Sequence, residues 1–352
     1  MSLFRIYVSA DEDYLAIATT ELREVFPDAV FRPLGPDFFS MEGDGVSIAN
    51  VADACRDRAN PLAFPRHLMR GVGEFPLPTT IDELGEVIEG ALAAWQELPL
   101  PASLSLQVWG SGSEPPALPV RMDEFWRLLA EGLRDEEIEV GRAGHDHVLS
   151  VCVTQGGIIV GSNRRDSALS DWPGGRVRLA KPKGQISRSE FKLEELLRSN
   201  EVTLPEGVAL DLGASPGGWT RILRERGLTV WAIDPGDLDP RVVADRGVHH
   251  VRTTAGSFFH NSDRMFDLIV NDMRMTPALS TELMLTASGH LNPSGMIIQT
   301  LKISPHHGLE MVRNALSTLR RRYEIDLVRQ LHHNRNEVTV VAHGLNSMSI
   351  AG

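Results

Sequence analysis

The chain has 352 residues, a net charge of −12 at neutral pH and a hydrophobic content of 42%. This length predicts two or three domains, and the composition is that of an ordinary globular protein. No apolar run approaches the roughly 20 residues of a membrane span, and the N-terminus lacks the pattern of a signal peptide. The chain has only two cysteines, which predicts a cytoplasmic protein without a disulfide framework. No cysteine–histidine cluster has zinc spacing, so no metal is expected, and no membrane partner is expected either.

Two small α+β units are predicted before residue 164. Pro76 and Pro78 mark the boundary between them, so the expected division is 1–75 and 76–163. Apolar periodicity predicts strands at 4–9, 29–32, 46–49, 103–109, 148–154 and 158–161, and helices at 11–26, 80–95 and 121–134.

An irregular basic segment follows at 164–190. Residues 1–163 carry 11 basic and 26 acidic side chains, whereas residues 164–352 carry 24 basic and 21 acidic ones. Within 164–192 alone there are eight basic and three acidic side chains. This local excess of positive charge suits nucleic-acid phosphates, and a solvated linker is the alternative. The candidate phosphate contacts are Arg164, Arg165, Arg176, Arg178, Lys181 and Lys183.

From residue 191 the pattern alternates between helix and strand, which predicts an α/β domain with a parallel, Rossmann-like sheet over 191–352. One helix is expected at 308–322. The strands are expected at 208–212, 230–233, 267–271, 296–300 and 337–342, with the last one antiparallel at one edge.

A glycine-rich turn in this domain indicates a nucleoside site. The segment 208–220, VALDLGASPGGWT, reads as a strand, a small-residue loop and a helix start. Its spacing, G-x-x-x-G-G, differs from the dinucleotide pattern and lacks the Gly-Lys-Ser/Thr of a phosphate loop. Asp234 ends the next strand, where an acid can accept hydrogen bonds from two ribose hydroxyls. Together these features indicate S-adenosylmethionine, with a dinucleotide site or a purely structural turn as alternatives.

Four polar residues are expected near the strand ends of the same sheet, where ligands bind in open α/β domains: Lys192, Asp272, Lys302 and Glu337. A hydroxyl that receives a methyl group must lose its proton, and a lysine can accept it only when neutral. A second lysine and partial burial lower a lysine pKa, whereas carboxylates oppose this shift and fix the geometry. Solvation of each residue separately is the alternative.

The order Lys192, Asp272, Lys302, Glu337 around DLGASPGGWT resembles the K-D-K-E tetrad of FtsJ/RrmJ-type 2′-O-ribose RNA methyltransferases. The blocks IVGSNRRDSALSDWPGGRVRLAKPKGQISRSEFKLEE, NDM, LKI and QLHHNRNEVTVVAHG are similar to those of the RlmM-like members, which methylate a cytidine of bacterial large-subunit (23S) rRNA. The resemblance covers about residues 160–352. Upstream it implies a ferredoxin-like unit and a THUMP-type RNA-binding unit, joined near PLAFPRHLMRGVGEFPL.

This resemblance implies a role for each matching residue. Lys302 would be the catalytic base, and Lys192, Asp272 and Glu337 would complete the tetrad. Thr254 stands where the family has an acid that can hold the adenine amine. The cofactor pocket would be lined by Ser189, Gly213, Ser215, Pro216, Gly217, Gly218, Trp219, Asp234, Thr254 and Asp272, and RNA, as large-subunit rRNA or its precursor, would be the partner.

Other functions fit the residues less well. Cytosine C5 methylation needs a cysteine nucleophile, and residues 164–352 contain no cysteine. Amino-group methylation usually shows an Asn/Asp-Pro-Pro-aromatic turn where this chain has NDMRM. A nicotinamide oxidoreductase would need different glycine spacing. A tRNA target, or an RNA-binding assembly factor without catalysis, stays open.

Overall fold

The structure, a computed structural model, describes residues 5–199 and 202–344. The chain divides into two units. The N-terminal unit runs to Asp57 and continues over Phe64–Val177, and the C-terminal unit contains Arg58–Ala63 and the described residues from Arg178 onward. The short segment belongs to the C-terminal unit because Arg329 donates a hydrogen bond to the Leu62 carbonyl at 2.7 Å.

The N-terminal unit is built on one eight-stranded sheet in the order β2-β3-β1-β4-β8-β7-β5-β6. Its elements are β1 (Ile6–Ser9), α1 (Leu15–Val25), β2 (Val30–Gly35), β3 (Phe38–Glu42), α2 (Ile48–Arg56), β4 (His67–Phe75), α3 (Ile81–Gln96), β5 (Ser103–Gly110), α4 (Met122–Asp135), β6 (Glu139–Gly141), β7 (His147–Thr154) and β8 (Gly157–Arg164). Strand β4 pairs with β1 on one side and β8 on the other, so both predicted N-terminal units contribute to this sheet. Their division at residue 75 stays a prediction.

Side-chain capping explains why the N-terminal unit has a helix at a position where a strand is predicted. The predicted strand at 46–49 is wrong, because the Ser47 side chain accepts the Asn50 N–H and starts α2. The predicted helix from Thr80 is confirmed, with Thr80 and Glu83 forming a capping box. The predicted strand at 4–9 corresponds to β1, and Phe4 lies outside the described residues.

The C-terminal unit contains a seven-stranded sheet in the order β11-β10-β9-β12-β13-β15-β14. Its elements are α5 (Glu190–Ser199), β9 (Val208–Leu212), α6 (Gly218–Glu225), β10 (Thr229–Ile233), α7 (Pro240–Val243), β11 (Val248–Val251), α8 (Ala255–His260), β12 (Phe266–Asn271), α9 (Pro277–Ala287), β13 (Leu291–Lys302), α10 (Gly308–Leu319), β14 (Tyr323–Arg329) and β15 (Glu337–Gly344). Leu193 and Leu196 of α5 pack with Trp219 and Leu223 of α6 in the core beside β9 and β12.

This sheet confirms the predicted Rossmann-like α/β fold. Strands β11, β10, β9, β12 and β13 are parallel, and β15 runs antiparallel to β13. The predicted edge position of the last strand is wrong, because β14 pairs antiparallel with β15 and forms the edge itself. The alternation in YEIDLVR is the signal that sequence analysis missed. No helix within the described ranges is long and apolar enough to cross a bilayer.

Candidate active site

Polar side chains collect at one edge of the C-terminal sheet. The loop after β9, Asp234 after β10 and Asp272 after β12 all follow parallel strands that are neighbours in the sheet. Lys302 ends β13, and its partner in the antiparallel ladder is Glu337, the first residue of β15. Strand order therefore brings together residues that are more than 100 positions apart in the chain.

The structure brings the four tetrad residues into direct contact. Lys192 Nζ lies 2.9 Å from Asp272 Oδ1 and 2.6 Å from Glu337 Oε2. Lys302 Nζ lies 2.8 Å from Asp272 Oδ1 and 3.0 Å from Glu337 Oε1. Each ammonium thus bridges both carboxylates. The four side chains are only 14–20% exposed, so their charges interact with little screening by water.

Charge–charge contacts override burial in this cluster. Burial is the strongest single influence on Lys192 and lowers its pKa, but Asp272 and Glu337 together raise that pKa above its usual value. Burial likewise pushes the pKa of Asp272 upward, but Lys192 and Lys302 hold it below its usual value. Burial and the two carboxylates thus oppose each other at Lys192, as expected, and the carboxylates have the stronger combined effect.

Thr300 is a member of the cluster that sequence analysis missed. Its hydroxyl donates to Asp272 Oδ1 at 2.6 Å and accepts from Lys302 Nζ at 2.8 Å. Thr300 lies two residues before Lys302 on β13, and side chains two apart on a strand share a face. Strand periodicity could therefore have found it.

Close packing fixes the glycine loop. Gly213 has a φ of 74°, and a Cβ at this position would come within 2.2 Å of Met273 Cγ. A Cβ on Gly218 would come within 2.1 Å of Ser187 Oγ. Ser215 and Pro216 at the tip are exposed, whereas Gly217 and Gly218 are buried. The loop thus has a rigid base and an accessible tip, as expected for close approach of a ligand to the backbone.

The surroundings of this loop suit S-adenosylmethionine, which carries a ribose diol and an amino group. Carboxylates lie at the ends of both strands that flank β9, Asp234 after β10 and Asp272 after β12. The Asp234 carboxylate accepts hydrogen bonds from the backbone N–H groups of Ser215 at 3.1 Å and Gly236 at 2.7 Å. These two hydrogen bonds orient the carboxylate beside the loop. Ser189 accepts the Trp219 indole N–H at 2.8 Å through its carbonyl and joins the start of α5 to α6.

Thr254 has a structural role in the described contacts. Its hydroxyl caps α8 by accepting the Ser257 N–H at 3.2 Å, and the residue is exposed. Its proposed contact with adenine stays a prediction.

Asp211, the acid that precedes the glycine loop, is buried. Burial raises the pKa of Asp211 to about 7, although the Thr220 hydroxyl donates to its Oδ2 at 2.6 Å and opposes that rise. Because Thr220 belongs to α6, this contact ties the end of β9 to the helix after the loop.

A second missed residue, Glu195, fixes the turn that leads into β15. Its buried carboxylate accepts the backbone N–H groups of His332 at 2.7 Å and His333 at 2.9 Å. The His333 ring also contacts Glu195 Oε2 through Nδ1 at 2.6 Å. The histidine pair thus anchors the chain four residues before Glu337. Glu195 lies one helical turn after Lys192.

The predicted RNA contacts do not share one environment. Arg164, Arg165 and Arg176 belong to the N-terminal unit, and Arg178, Lys181 and Lys183 belong to the C-terminal unit. Arg178, Lys181 and Lys183 are exposed. Arg176 instead forms an ion pair with Asp37 and donates to the Gly112 carbonyl at 3.2 Å. Arg164 and Arg165 are exposed, each with an aspartate at 3.5 and 3.8 Å, respectively.

Among the described residues, no cluster of three or more His, Cys, Asp or Glu side chains is arranged to hold a metal. The predicted site residues thus fall into a tetrad in mutual contact, a loop with flanking acids, and basic residues divided between the two units.

Comparison with known proteins identifies similar chains. The family model described as FtsJ-like methyltransferase matches residues 185–338. Ribosomal RNA large subunit methyltransferase M of Halorhodospira halophila is 42% identical over 180 residues, which cover 50% of this chain and 52% of that protein. The protein of the same name from Azoarcus sp. is 34% identical, with coverages of 61% and 63%. In these two alignments, the chain thus spans between half and just under two thirds of each relative's length.

A longer alignment is found with ribosomal RNA large subunit methyltransferase M of Pseudomonas aeruginosa (strain UCBPP-PA14). It is 30% identical over 302 residues, which cover 81% of this chain and 82% of that protein. These matches confirm the resemblance based on the tetrad and the glycine loop.

Proposed function

Because the chain belongs to the ribosomal RNA large subunit methyltransferase M family, we propose that it transfers a methyl group from S-adenosylmethionine to a ribose 2′-hydroxyl of large-subunit ribosomal RNA. The proposed target is a cytidine of 23S rRNA or its precursor, methylated in the cytoplasm. The proposal assigns RNA binding to the N-terminal unit, with THUMP-like and ferredoxin-like parts. The observation that carries it is the contact of Lys192, Asp272, Lys302 and Glu337 at one sheet edge.

S-adenosylmethionine, when bound, supplies an electrophilic methyl group on a sulfonium. We assign its ribose to Asp234 and its amino group to Asp272. Ser189, Ser215, Pro216, Gly217, Gly218 and Trp219 would line the pocket around the loop. The chain then has to place a sugar hydroxyl in line with the methyl group and remove its proton.

We assign proton removal to Lys302. Its Nζ lies within 3.0 Å of Asp272 Oδ1, Glu337 Oε1 and Thr300 Oγ1, so its position is fixed from three sides. The raised pKa of Lys192 keeps that side chain protonated, which suits a charge that orients the hydroxyl oxygen rather than a base. Asp272 and Glu337 hold both nitrogens in place. Only a neutral amine can accept a proton, so Lys302 has to give up its own proton to solvent first. It would then take the 2′-hydroxyl proton as the oxygen gains the methyl group, and the methyl–sulfur bond of the cofactor would break to leave a neutral thioether.

Mapping of ribose methylation across total RNA tests this function. Cells with and without the gene are compared by a sequencing method that detects 2′-O-methyl groups. We expect one cytidine of large-subunit rRNA to lose its methyl group in the deletion and to regain it on complementation. Loss confined to a tRNA would favour the other RNA substrate. Unchanged methylation throughout would contradict catalysis and leave an RNA-binding assembly factor.

A further inference from the structure

The tetrad has no net charge to attract RNA. Two ammonium groups face two carboxylates at distances of 2.6–3.0 Å, so their charges cancel locally. A nucleotide that presents its ribose to this cluster brings a phosphodiester on each side of that ribose. Binding of such a strand therefore needs cations near the tetrad but outside it.

Two exposed arginines occupy such positions on separate loops. Arg274 lies two residues after Asp272, in the loop that follows β12, and Arg335 lies two residues before Glu337, in the turn that precedes β15. Parallel pairing of β12 with β13, and antiparallel pairing of β13 with β15, place both loops at the sheet edge that carries the tetrad.

Neither guanidinium is neutralised by a carboxylate within the described ranges. This differs from many arginines of the same unit, which form ion pairs: Arg198, Arg221, Arg224, Arg226, Arg241 and Arg252. In a chain with a net charge of −12, two arginines without an acidic partner beside the reactive cluster remain available to an anionic ligand.

The backbone at Arg335 strengthens this inference. Its φ is 54° and its ψ is −116°, a conformation that glycine adopts far more easily than a residue with a side chain. Hydrogen bonds on both sides hold it there, from Gln330 Nε2 to the Arg335 carbonyl at 3.0 Å and from the Ile303 N–H to the Asn336 carbonyl at 3.0 Å. An exposed arginine at such a position points to a role for its side chain.

We propose that Arg274 and Arg335 form a phosphate clamp that binds the RNA backbone on the two sides of the target ribose. A guanidinium can donate two parallel hydrogen bonds to a phosphodiester, which fixes the strand as well as attracting it. The clamp rests on the proposed function and names its substrate-binding residues. It holds the sugar against the tetrad, while the basic segment after β8 acts elsewhere on the RNA.

Substitutions at the two arginines test the clamp in the full-length protein. Arg274→Gln, Arg335→Gly and the double variant are compared with Arg246→Gln, which removes the same charge from an exposed residue before β11, at the opposite ends of the parallel strands. The probe is unmodified large-subunit rRNA transcribed in vitro, with its affinity measured by fluorescence anisotropy over a salt series. Methyl transfer to the same transcript and thermal unfolding complete the comparison.

Each single change at the clamp should weaken RNA affinity about tenfold, as expected for one charged hydrogen-bonded contact. The slope of log affinity against log salt should fall by about 0.7 for each phosphate that the variant no longer neutralises. The KM for RNA should rise while kcat at saturating RNA stays near wild type. Arg246→Gln should change none of these values. Arg335→Gly should unfold at or above the wild-type temperature, because glycine relieves the backbone.

Affinity and salt slope in the double variant that match the wild type would overturn the clamp. So would an equal weakening of RNA binding in Arg246→Gln, or a fall in unfolding temperature that accounts for the weaker binding of Arg335→Gly. Methyl transfer by the wild type in the same assay separates this failure from failure of the proposed function. Arginine-dependent binding without methyl transfer would leave the clamp in place and remove the proposed reaction.

Discussion

Each unit contains a cluster of oppositely charged side chains, and the two clusters differ in burial and in the contacts of their carboxylates. In the N-terminal unit, Asp37 Oδ1 accepts hydrogen bonds from the Ser111 hydroxyl at 2.6 Å and from the Gly112 N–H at 2.8 Å. The other carboxylate oxygen pairs with Arg176. The Asp37 side chain is only 4% exposed. In the C-terminal unit, the tetrad carboxylates are 15–17% exposed, and each contacts two ammonium groups.

The difference separates a structural ion pair from the cluster that we propose to be catalytic. The Asp37 carboxylate is held by groups from two distant segments, Ser111–Gly112 and Arg176, so that cluster ties three parts of the chain together. The tetrad keeps partial access to solvent, and each of its ammonium groups is shared between two carboxylates. Arg176 lies in the basic segment at 164–190 and Lys192 lies two residues after it, so charge pattern alone does not distinguish their roles.

Substitution of the proposed base, Lys302, should change the reaction rate most strongly. Lys302→Ala should lower kcat for methyl transfer by about a thousandfold, within the range of general base catalysis. Binding of S-adenosylmethionine, measured by calorimetry, should change little, because Lys302 is not assigned to the cofactor pocket. A radiolabelled methyl-transfer assay at saturating RNA gives the rate.

Lys302→Arg is the matched control for charge. Arginine keeps the positive charge beside Asp272 and Glu337 but cannot release a proton near neutral pH. We expect it to be as inactive as Lys302→Ala. A rate near that of the wild type in Lys302→Arg would show that the charge, and not proton removal, is what the reaction needs.

The next effect tests whether the Asp37 cluster is structural. Arg176→Ala leaves the Asp37 carboxylate buried without its counter-ion and should lower the free energy of unfolding of the N-terminal unit by about 3 kcal/mol. Urea unfolding monitored by fluorescence measures this value. Arg121→Ala is the control, because Arg121 and Asp123 form an ion pair whose side chains are 85% and 57% exposed. The destabilisation of this control should stay within about 0.5 kcal/mol, and equal destabilisation of the two variants would remove the contrast between buried and exposed pairs.

Acid should affect the two units differently. Burial lowers the pKa of His67, in the N-terminal unit, to about 4, and its ring nitrogens contact the Ser170 carbonyl and Ser150 Oγ. Because the unfolded state binds the proton more tightly, the stability that neutral His67 contributes is present above pH 6.5 and is lost as pH falls toward 4. Between pH 7.5 and pH 5 this unit should lose about 2 kcal/mol.

The lowered pKa of Asp272 keeps the tetrad carboxylate ionised over the same interval, so the C-terminal unit should not show this destabilisation through Asp272. Hydrogen exchange of the two units, measured as a function of pH, separates them. His67→Gln retains a donor toward Ser150 but has no proton to gain, and it should flatten the pH dependence of the N-terminal unit. A slope unchanged by His67→Gln would assign the acid sensitivity to other groups.

Sequence patterns predicted the parts of the site that directly follow a strand in the chain. The glycine loop, the strand-end acids and the fold of the C-terminal domain follow from alternating apolar runs, each bounded by small or polar residues. Lys302 and Asp272 could be placed at one edge because parallel strands end there. The contact of Lys302 with Glu337 depends on the pairing of β13 with β15. The family resemblance implied the tetrad but not this strand pairing.

Other contacts could not be predicted, because they depend on tertiary pairing without a local pattern. Nothing near Arg176 in sequence shows that Asp37, 139 residues away, would neutralise it. Glu195 looks like an ordinary helix residue until the fold brings the His332–His333 turn against it. The direction of the Lys192 pKa is another such case, since it depends on two carboxylates from separate strands.

A weaker effect is expected within the basic segment, where it tests which arginine contacts RNA. Arg178 is exposed, whereas Arg176 is paired with Asp37, so charge reversal at the two positions should have different results. Arg178→Glu should weaken RNA binding about fivefold and reduce its salt dependence, with the unfolding temperature unchanged. Arg176→Glu should mainly lower the unfolding temperature, because it places a second carboxylate beside Asp37. Anisotropy titrations and thermal melts on both variants make the comparison. If an exposed arginine contacts a phosphate, reversing its charge must repel that phosphate. Wild-type RNA affinity in Arg178→Glu would therefore show that this part of the segment is a solvated linker.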